Sequence, residues 1–364
     1  MLVSIAHPSE LAAAELHSWQ AMQRATATLQ NPFLSADFTL AVGRVRPNAR
    51  VAVLEQDQGV AGFLPYEVKG LGIGKAIGSG LSDCQGLIHQ PDLEWEPKAF
   101  LRASGLAVWE FDHLAGSQLG WFPEHARRSP SPIMDLSDGY EAYLERRRQA
   151  SKKIVKTTFA KQRKMAREVG EVRFDFDVRD LDVLHTLMDW KSGQYARLLE
   201  YDRFDDPRTV RLVEDLFATR TPECSGTLSV LYVCDRPIAA HFGLRSASVL
   251  ACWFPAYDAA LARYSPGLLL HFMMAEAAAA RGIRYLDLGK GHSEYKESIK
   301  SGDLEVAEGW IERPLPFALI RRLQRAPRRH VGPLIKSHPR LAQQVRRTRW
   351  HLRQFGRATC ARMS

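Results

Sequence analysis

The sequence predicts a mixed α/β fold built from two similar lobes, in which helices flank mostly antiparallel strands. Three observations lead there. The segment VAVLEQDQGVAGFLPYEV (51–68) alternates in polarity and breaks at Asp57-Gln58-Gly59, a hairpin signal that returns in LSVLYVCDRPIAAHFGL (228–244). Setting Asp57 on Asp235, about 178 residues apart, places Val53 on Leu231, Val60 on Ile238, Ala61 on Ala239 and Leu64 on Phe242. That period is too long for a solenoid and suits two copies of one domain. Second, the later half reads as helices before and after a run of antiparallel strands, with one strand–helix–strand crossover over 248–288. Third, a proline-free basic stretch, 140–172, separates the halves.

In chain order, the first lobe (1–139) is expected to hold a helix at 9–29, strands over 51–68, a flexible turn at the glycine-rich GLGIGKAIGSG (70–80), a helix at 95–105 and a strand at 106–112. The connecting segment (140–171) reads as one long basic helix whose Ile154, Phe159 and Met165 touch the body. The second lobe (172–312) reads as strand 172–178, helices 180–199 and 207–219, strands 227–234, 237–246 and 248–256, helix 267–281 and strand 284–288. A tail, 313–364, follows.

The 364 residues are 45% hydrophobic and 25% charged, which excludes a disordered, collagen-like or fibrous chain and leaves room for two domains. The net charge of +9 is unevenly placed. From Arg313 onward there are 14 Lys and Arg and no acid, whereas the first 312 residues carry the other 36 bases against all 41 acids. A mildly acidic body thus bears a basic tail suited to an anionic partner. The longest weakly polar run, GLLLHFMMAEAAAA (267–280), contains His271 and Glu276 and is too short to span a bilayer, so it reads as a buried helix. The opening residues lack the charged start of a secretory signal, and the expected location is the cytoplasm.

Five scattered cysteines form no CxxC pair, and the twelve histidines show no HExxH spacing, so no disulfide framework and no metal are expected. Gly72-x-Gly74-x-x-Ile77 lacks the third glycine of a dinucleotide loop, and Gly74-Lys75 is followed by Ala76 where a P-loop needs Ser or Thr. GxSxG is absent, which leaves a serine hydrolase without support. The informative stretch is 251–300. Its strand leads through Arg263, Tyr264, Ser265, Pro266, Gly267 and Leu268 into an alanine-rich helix. A helix start offers free N–H groups and a positive dipole end, and Arg263 adds a cation, a combination suited to a pyrophosphate; an ordinary Pro-Gly helix start is the alternative.

This stretch, the hairpin before it and the YLDLGKGHSEYK sequence after it resemble the GNAT acyltransferase superfamily, more narrowly the CelD-like acetyltransferases of cellulose, exopolysaccharide and holdfast biosynthesis, which are related to FemAB-type transferases. PFLSADFTLAV (32–42), FLPYEV (63–68) and SDCQGLI (82–88) match the looser pattern of a first lobe. The resemblance implies tandem GNAT lobes, acetyl-CoA as acyl donor, and an amino or hydroxyl group on a sugar or polysaccharide precursor as acceptor. Residue by residue it puts the pyrophosphate at Arg263, Tyr264, Ser265, Gly267 and Leu268, although Pro266 stands where the pattern has a glycine and removes a donor. His241, whose counterpart in the first hairpin is Phe63, and Asp258 are candidate bases. Tyr295 is the candidate acid for the departing thiolate, Lys296 beside it and Asp83 are candidates for acceptor binding, and Asp287, Lys290 and His292 rank lower. Two other readings share the fold: a non-catalytic anion-binding regulatory module, and a FemAB-like aminoacyltransferase.

The tail contains Pro327, Pro333 and Pro339 and reads as two short helical pieces. In the later piece Leu341, Val345, Leu352 and Phe355 share one side, as in a helix resting on an acidic membrane. Arg321, Arg322, Arg325, Arg328 and Arg329 supply planes and forks of the kind a cyclic dinucleotide engages, and cyclic di-GMP is the ligand that the family's setting implies. Specific DNA binding is not expected. A peripheral place at the inner membrane is the corollary of the lipid reading.

Overall fold

Among the described residues, thirteen strands join in one sheet. The structure is a computed structural model describing residues 2–56, 59–70, 72–121 and 126–313. The first half contains β1 (Leu2–Ala6), α1 (Ala13–Ala25), α2 (Ala36–Val45), β2 (Ala49–Gln56), β3 (Gly59–Val68), β4 (Ile73–Ala76), β5 (Ile88–His89), α3 (Pro97–Ala103), β6 (Val108–Ala115) and β7 (Arg127–Asp135). The second contains α4 (Tyr140–Ala150), α5 (Lys152–Glu168), β8 (Val172–Asp175), α6 (Leu181–Leu198), α7 (Pro207–Ala218), β9 (Ser225–Val233), β10 (Arg236–Arg245), β11 (Val249–Tyr257), α8 (Pro266–Ala279), β12 (Tyr285–Asp287), α9 (Glu294–Ile299) and β13 (Gly302–Glu312). The basic tail, with Arg321, Arg322, Arg325, Arg328 and Arg329, lies outside the described residues.

The strand order is β1-β2-β3-β4-β6-β13-β7-β12-β11-β10-β9-β8, with β5 on β3. Read from either edge, the pairings are the same: three antiparallel steps, one parallel step (β4–β6 or β11–β12), then an antiparallel last strand. The 178-residue repeat is therefore a repeat of topology. The last strands are exchanged: β7 pairs with β12 of the second half, β13 with β6 of the first, and the two pair with each other. Exchange turns two small sheets into one.

Strand β7, where no element is expected from the sequence, contains Pro130 and Pro132, and its register shows why both are tolerated. Ser301 N–H bonds Ile133 O on the β13 side, whereas Leu136 N–H bonds Arg284 O and Leu288 N–H bonds Pro132 O on the β12 side. Even-numbered residues thus face β12, which pairs only with Ile133–Asp135, and the prolines lie beyond its end. Pro130 therefore costs no bond to β12, and Pro132 still accepts from Leu288 through its carbonyl, so only one donor at the end of the pairing is missing.

The connecting segment is two helices, not the single one expected. Ser151 is extended (φ −159, ψ 90) between α4 and α5. The halves dock on different partners: Tyr143 Oη donates to Ile299 O (2.7 Å) and Arg147 to the carbonyls of Ser298 and Lys300, while Phe159 packs on Phe272 of α8. Likewise the glycine-rich 70–80 stretch contains β4 rather than only a turn, and the 9–29 helix is α1 flanked by short 3₁₀ turns. In the second hairpin Cys234 and Asp235 both take the left-handed conformation (φ 47 and 61), the two-residue turn that matches strand twist.

One apolar cluster on the α1, α2, α6 and α7 side runs through both lobes and includes Phe33, Phe38, Phe63, Leu228, Phe242 and Trp253. A second lies under α4, α5 and α8, and a third under α3. The shared cluster fixes the lobes against each other, so residues from both can build one site.

Candidate active site at the β11–β12 wedge

Strands β11 and β12 pair only through Val249–Tyr285, Leu250–Leu286 and Ala251–Asp287. Beyond that point β12 ends and β11 runs on to Tyr257, so the sheet opens into a wedge. The chain returns from β11 through α8 to β12, which puts the start of α8 at the open end. In the first lobe the equivalent gap beside β6 is filled by the chain itself: Gln85 N–H bonds His113 O and Ala115 N–H bonds Gln85 O, both at 2.9 Å. The second wedge is flanked by buried titratable groups from two elements.

The first is His241 of β10, fully buried. A register shift between Phe242 and Gly243 leaves Trp253 without a cross-strand partner in β10, and its N–H turns to His241 Nε2 at 3.2 Å. An amide can only donate, so Nε2 holds a lone pair and the proton of the neutral ring sits on Nδ1. That Nδ1 is buried without a partner. Gly243 makes the arrangement possible, because a β-carbon there would stand 2.6 Å from His241 Cε1 and 2.5 Å from Ala251 O. The second group is His271 of α8, 2% exposed. Its Nδ1 meets Gly267 O at 2.7 Å; a carbonyl can only accept, so Nδ1 carries the proton and Nε2 a lone pair. Nε2 is also buried and unpartnered. Burial lowers both ring pKa values, that of His241 well below its ordinary 6.5, with His271 and Lys191 adding to the effect; Lys296 adds to it at His271. The ring centroids are 6.1 Å apart, and Tyr295, 36% exposed, stands 5.7 Å from His271 on the solvent side.

Lys191 of α6 donates to Pro255 O at 3.2 Å and to Gln194 at 3.1 Å, and burial pushes its pKa down to about 8. From the first lobe comes the 78–86 turn. Trp253 Nε1–H bonds Leu81 O at 2.9 Å, Arg203 bonds Gly80 O, and Asp83 reaches the second lobe. Gly289 is left-handed (φ +77); a β-carbon on it would sit 3.2 Å from Asp83 Oδ2 and 3.8 Å from Lys296 Nζ. Lys296 donates to Gly289 O (2.8 Å) and Lys290 O (3.3 Å). Burial raises the carboxyl pKa of Asp83, opposed by His113, Arg203 and Lys296. Asp287 is held by Ser131 Oγ (2.8 Å) and Gly289 N–H (3.0 Å), which makes it a brace for the turn; Lys290 bonds Asp112 O and His292 pairs with Glu297 at 2.9 Å.

At the start of α8, Pro266 has no N–H, and those of Leu268 and Leu269 close on Ser265 O at 3.1 and 3.2 Å. Arg263 lies over the Tyr264 ring (4.7 Å to its centroid) and donates to Tyr264 Oη, which donates to Glu168. Its fork therefore follows Tyr264. The cation on the turn is Lys161 of α5, 2.7 Å from Ser265 Oγ. Asp258 accepts from Ala260 N–H (2.9 Å) and pairs with Arg236 (2.6 Å), a helix cap and ion pair apart from the histidines.

Residues 153–297 match the family model of the acetyltransferase (GNAT) domain. This is a GNAT-fold domain. FemX, 11% identical, superposes with a TM-score of 0.60 over 88% of this chain and 99% of its own. A conserved protein of unknown function from Bacteroides thetaiotaomicron VPI-5482, 12% identical, gives 0.56 over 85% of this chain and 100% of its own. At such identities the likeness shows the fold. No curated protein matches the chain.

Within the GNAT domain, His241, Tyr295 and Lys296 are brought to the wedge together with Asp83 of the other lobe. Three groups escaped sequence reasoning. His271 was visible as a titratable residue in the apolar run 267–280; Lys161 and Lys191 had no signal beyond membership of polar helix faces. Among the described residues no group of three or more His, Cys, Asp or Glu is placed to hold a metal ion, and no helix is long and apolar enough to cross a membrane.

Proposed function

We propose that the chain is an acyl-CoA-dependent acyltransferase, with acetyl-CoA as donor and a sugar unit of a polysaccharide precursor as acceptor. The observation that carries this is the wedge where β12 ends while β11 runs on, with the buried, unpartnered His271 Nε2 on α8 and Lys161 on the turn that starts α8. An acyl-CoA would lie with its pyrophosphate at Ser265–Leu268 and Lys161 and its thioester toward His241 and His271. Acceptor hydroxyls would meet Asp83 and Lys296, a carboxylate and an ammonium on facing lobes. The CelD-like resemblance supports placing the product in exopolysaccharide or holdfast-type adhesin synthesis.

Calorimetric titration with acetyl-CoA tests the donor. Binding is expected, and Lys161→Ala is expected to weaken it about tenfold, the worth of one charge-assisted contact. A folded chain that takes up no acetyl-CoA would remove the enzymatic reading and leave an anion-binding regulatory module. The basic tail is proposed to engage cyclic di-GMP or acidic lipid, on the strength of its 14 cations and no acids. Truncation after Arg313 is expected to abolish such binding without changing the thermal transition of the body, and retained binding would refute the assignment.

A further inference from the structure

We propose that the acceptor group is a hydroxyl held between His241 Nδ1–H and His271 Nε2, so that the chain forms an ester rather than an amide. The inference rests on the acyltransferase reading and narrows its acceptor. One ring offers only a donor and the other only a lone pair, as their bonds to Trp253 N–H and Gly267 O dictate. Both free atoms are buried, and the ring centroids are 6.1 Å apart with no hydrogen bond between the rings. In the proposed complex one oxygen bridges the two rings, with a bond of about 2.8 Å to each free nitrogen.

A hydroxyl has one O–H and two lone pairs. Its hydrogen goes to His271 Nε2, one lone pair accepts from His241 Nδ1–H, and the other remains for attack. A neutral amine has one lone pair, so it cannot both accept from His241 and attack; an ammonium has none. In the transfer, the oxygen lone pair forms the C–O bond with the thioester carbonyl carbon while the hydroxyl proton moves to His271 Nε2. Collapse breaks the C–S bond, its electron pair leaves on sulfur, and the proton on His271 passes to the thiolate. Ester and CoA thiol are the products, and His271 is neutral again. Tyr295, over the outer side of His271, shields this exchange from bulk water.

Two measurements on the full chain test the pair. Long-range 1H–15N correlations of the histidine rings, assigned with His241→Gln and His271→Asn, are expected to show Nδ1–H tautomers for both at neutral pH. An Nε2–H tautomer or an imidazolium at His271 overturns the proposal whether or not acetyl-CoA binds. The second uses labelled acetyl-CoA with an N-acetylated chitooligosaccharide, which has hydroxyls only, and with its de-N-acetylated form, which has amines; water is the smallest hydroxyl and is expected to be a slow acceptor. The expected product is labile to mild alkali, and His271→Asn, which keeps the donor to Gly267 O, is expected to lower kcat about 10²–10⁴-fold at unchanged acetyl-CoA affinity. His241→Gln keeps an acceptor for Trp253 N–H and loses the other donor; about tenfold is expected. An alkali-stable product overturns the proposal, as does a chain that binds acetyl-CoA but shows no His271-dependent release of CoA to sugar or water. Absence of acetyl-CoA binding refutes the donor reading instead, and the tautomers then decide the pair by themselves.

Discussion

Trp253→Ala is expected to cost about 3–5 kcal/mol of stability, the range for emptying a buried aromatic site. The side chain is 8% exposed and stands where the lobes meet. It stacks on Phe254 (centroids 4.7 Å apart) and takes the edge of Phe33 (5.3 Å), with Phe38 and Phe242 at 6.4 and 6.2 Å. Its Nε1–H also satisfies Leu81 O, so truncation leaves that carbonyl unpaired as well as opening a void. Trp253→Phe keeps most of the ring contact and loses only the bond to Leu81; it is expected to cost about 1–2 kcal/mol. Because Asp83 follows Leu81 by two residues, both variants should also loosen the turn that carries Asp83 to Gly289, lowering turnover beyond what unfolding explains. Urea unfolding gives the first quantity, and acetyl-CoA turnover well below the transition gives the second. A loss under about 1 kcal/mol for alanine would mean that the contacts of Trp253 contribute little to joining the lobes.

The repeat of topology was legible because the two hairpins keep their alternation and spacing, and the β11–α8–β12 crossover because its polarity pattern is unbroken. Strand β7 was hidden by Pro130 and Pro132, which are harmless only where a neighbouring strand has already ended, and that is a property of the partner rather than of the segment. The break at Ser151 was hidden for a similar reason: helix propensity runs through it, and only docking of α4 on the end of α9 and of α5 on α8 forces the bend. At the site, the comparison of His241 with Phe63 marked a titratable residue in an apolar position, and the structure shows it beside the bulge at Trp253. Its protonation was not legible, since that depends on one amide of the adjacent strand. Nor was it visible that Arg263 would be engaged by Tyr264, or that Asp258 would cap the turn after β11, because both outcomes are set by neighbours distant in sequence.

The two buried rings should also make stability depend on pH in a defined sense. Wild type is expected to lose stability relative to the His241→Gln, His271→Asn double variant as pH falls below 6.5, the ordinary histidine value. Folded-state pKa values below 6.5 mean that the unfolded chain takes up protons which the folded chain refuses. The unfolded state then binds more protons, and stability rises with pH through this window. The slope is at most about 1.4 kcal/mol per pH unit for each ring, and it levels off once the folded pKa is passed. The charged groups acting on the rings reinforce it: Lys191 on His241, and Lys296 on His271. Buried carboxyls with raised pKa values, Asp37, Asp83, Asp177 and Asp287, work the other way, since they favour the folded chain as pH falls toward their ordinary value of 3.8. Those acids are common to both chains and largely cancel in the difference, so the comparison isolates the imidazoles. Urea midpoints of the two proteins, measured from neutral pH down to about pH 5, supply it. Parallel curves would mean that both rings take up a proton in the fold as readily as in water, and below pH 6.5 His271 would then be an imidazolium with no lone pair to offer.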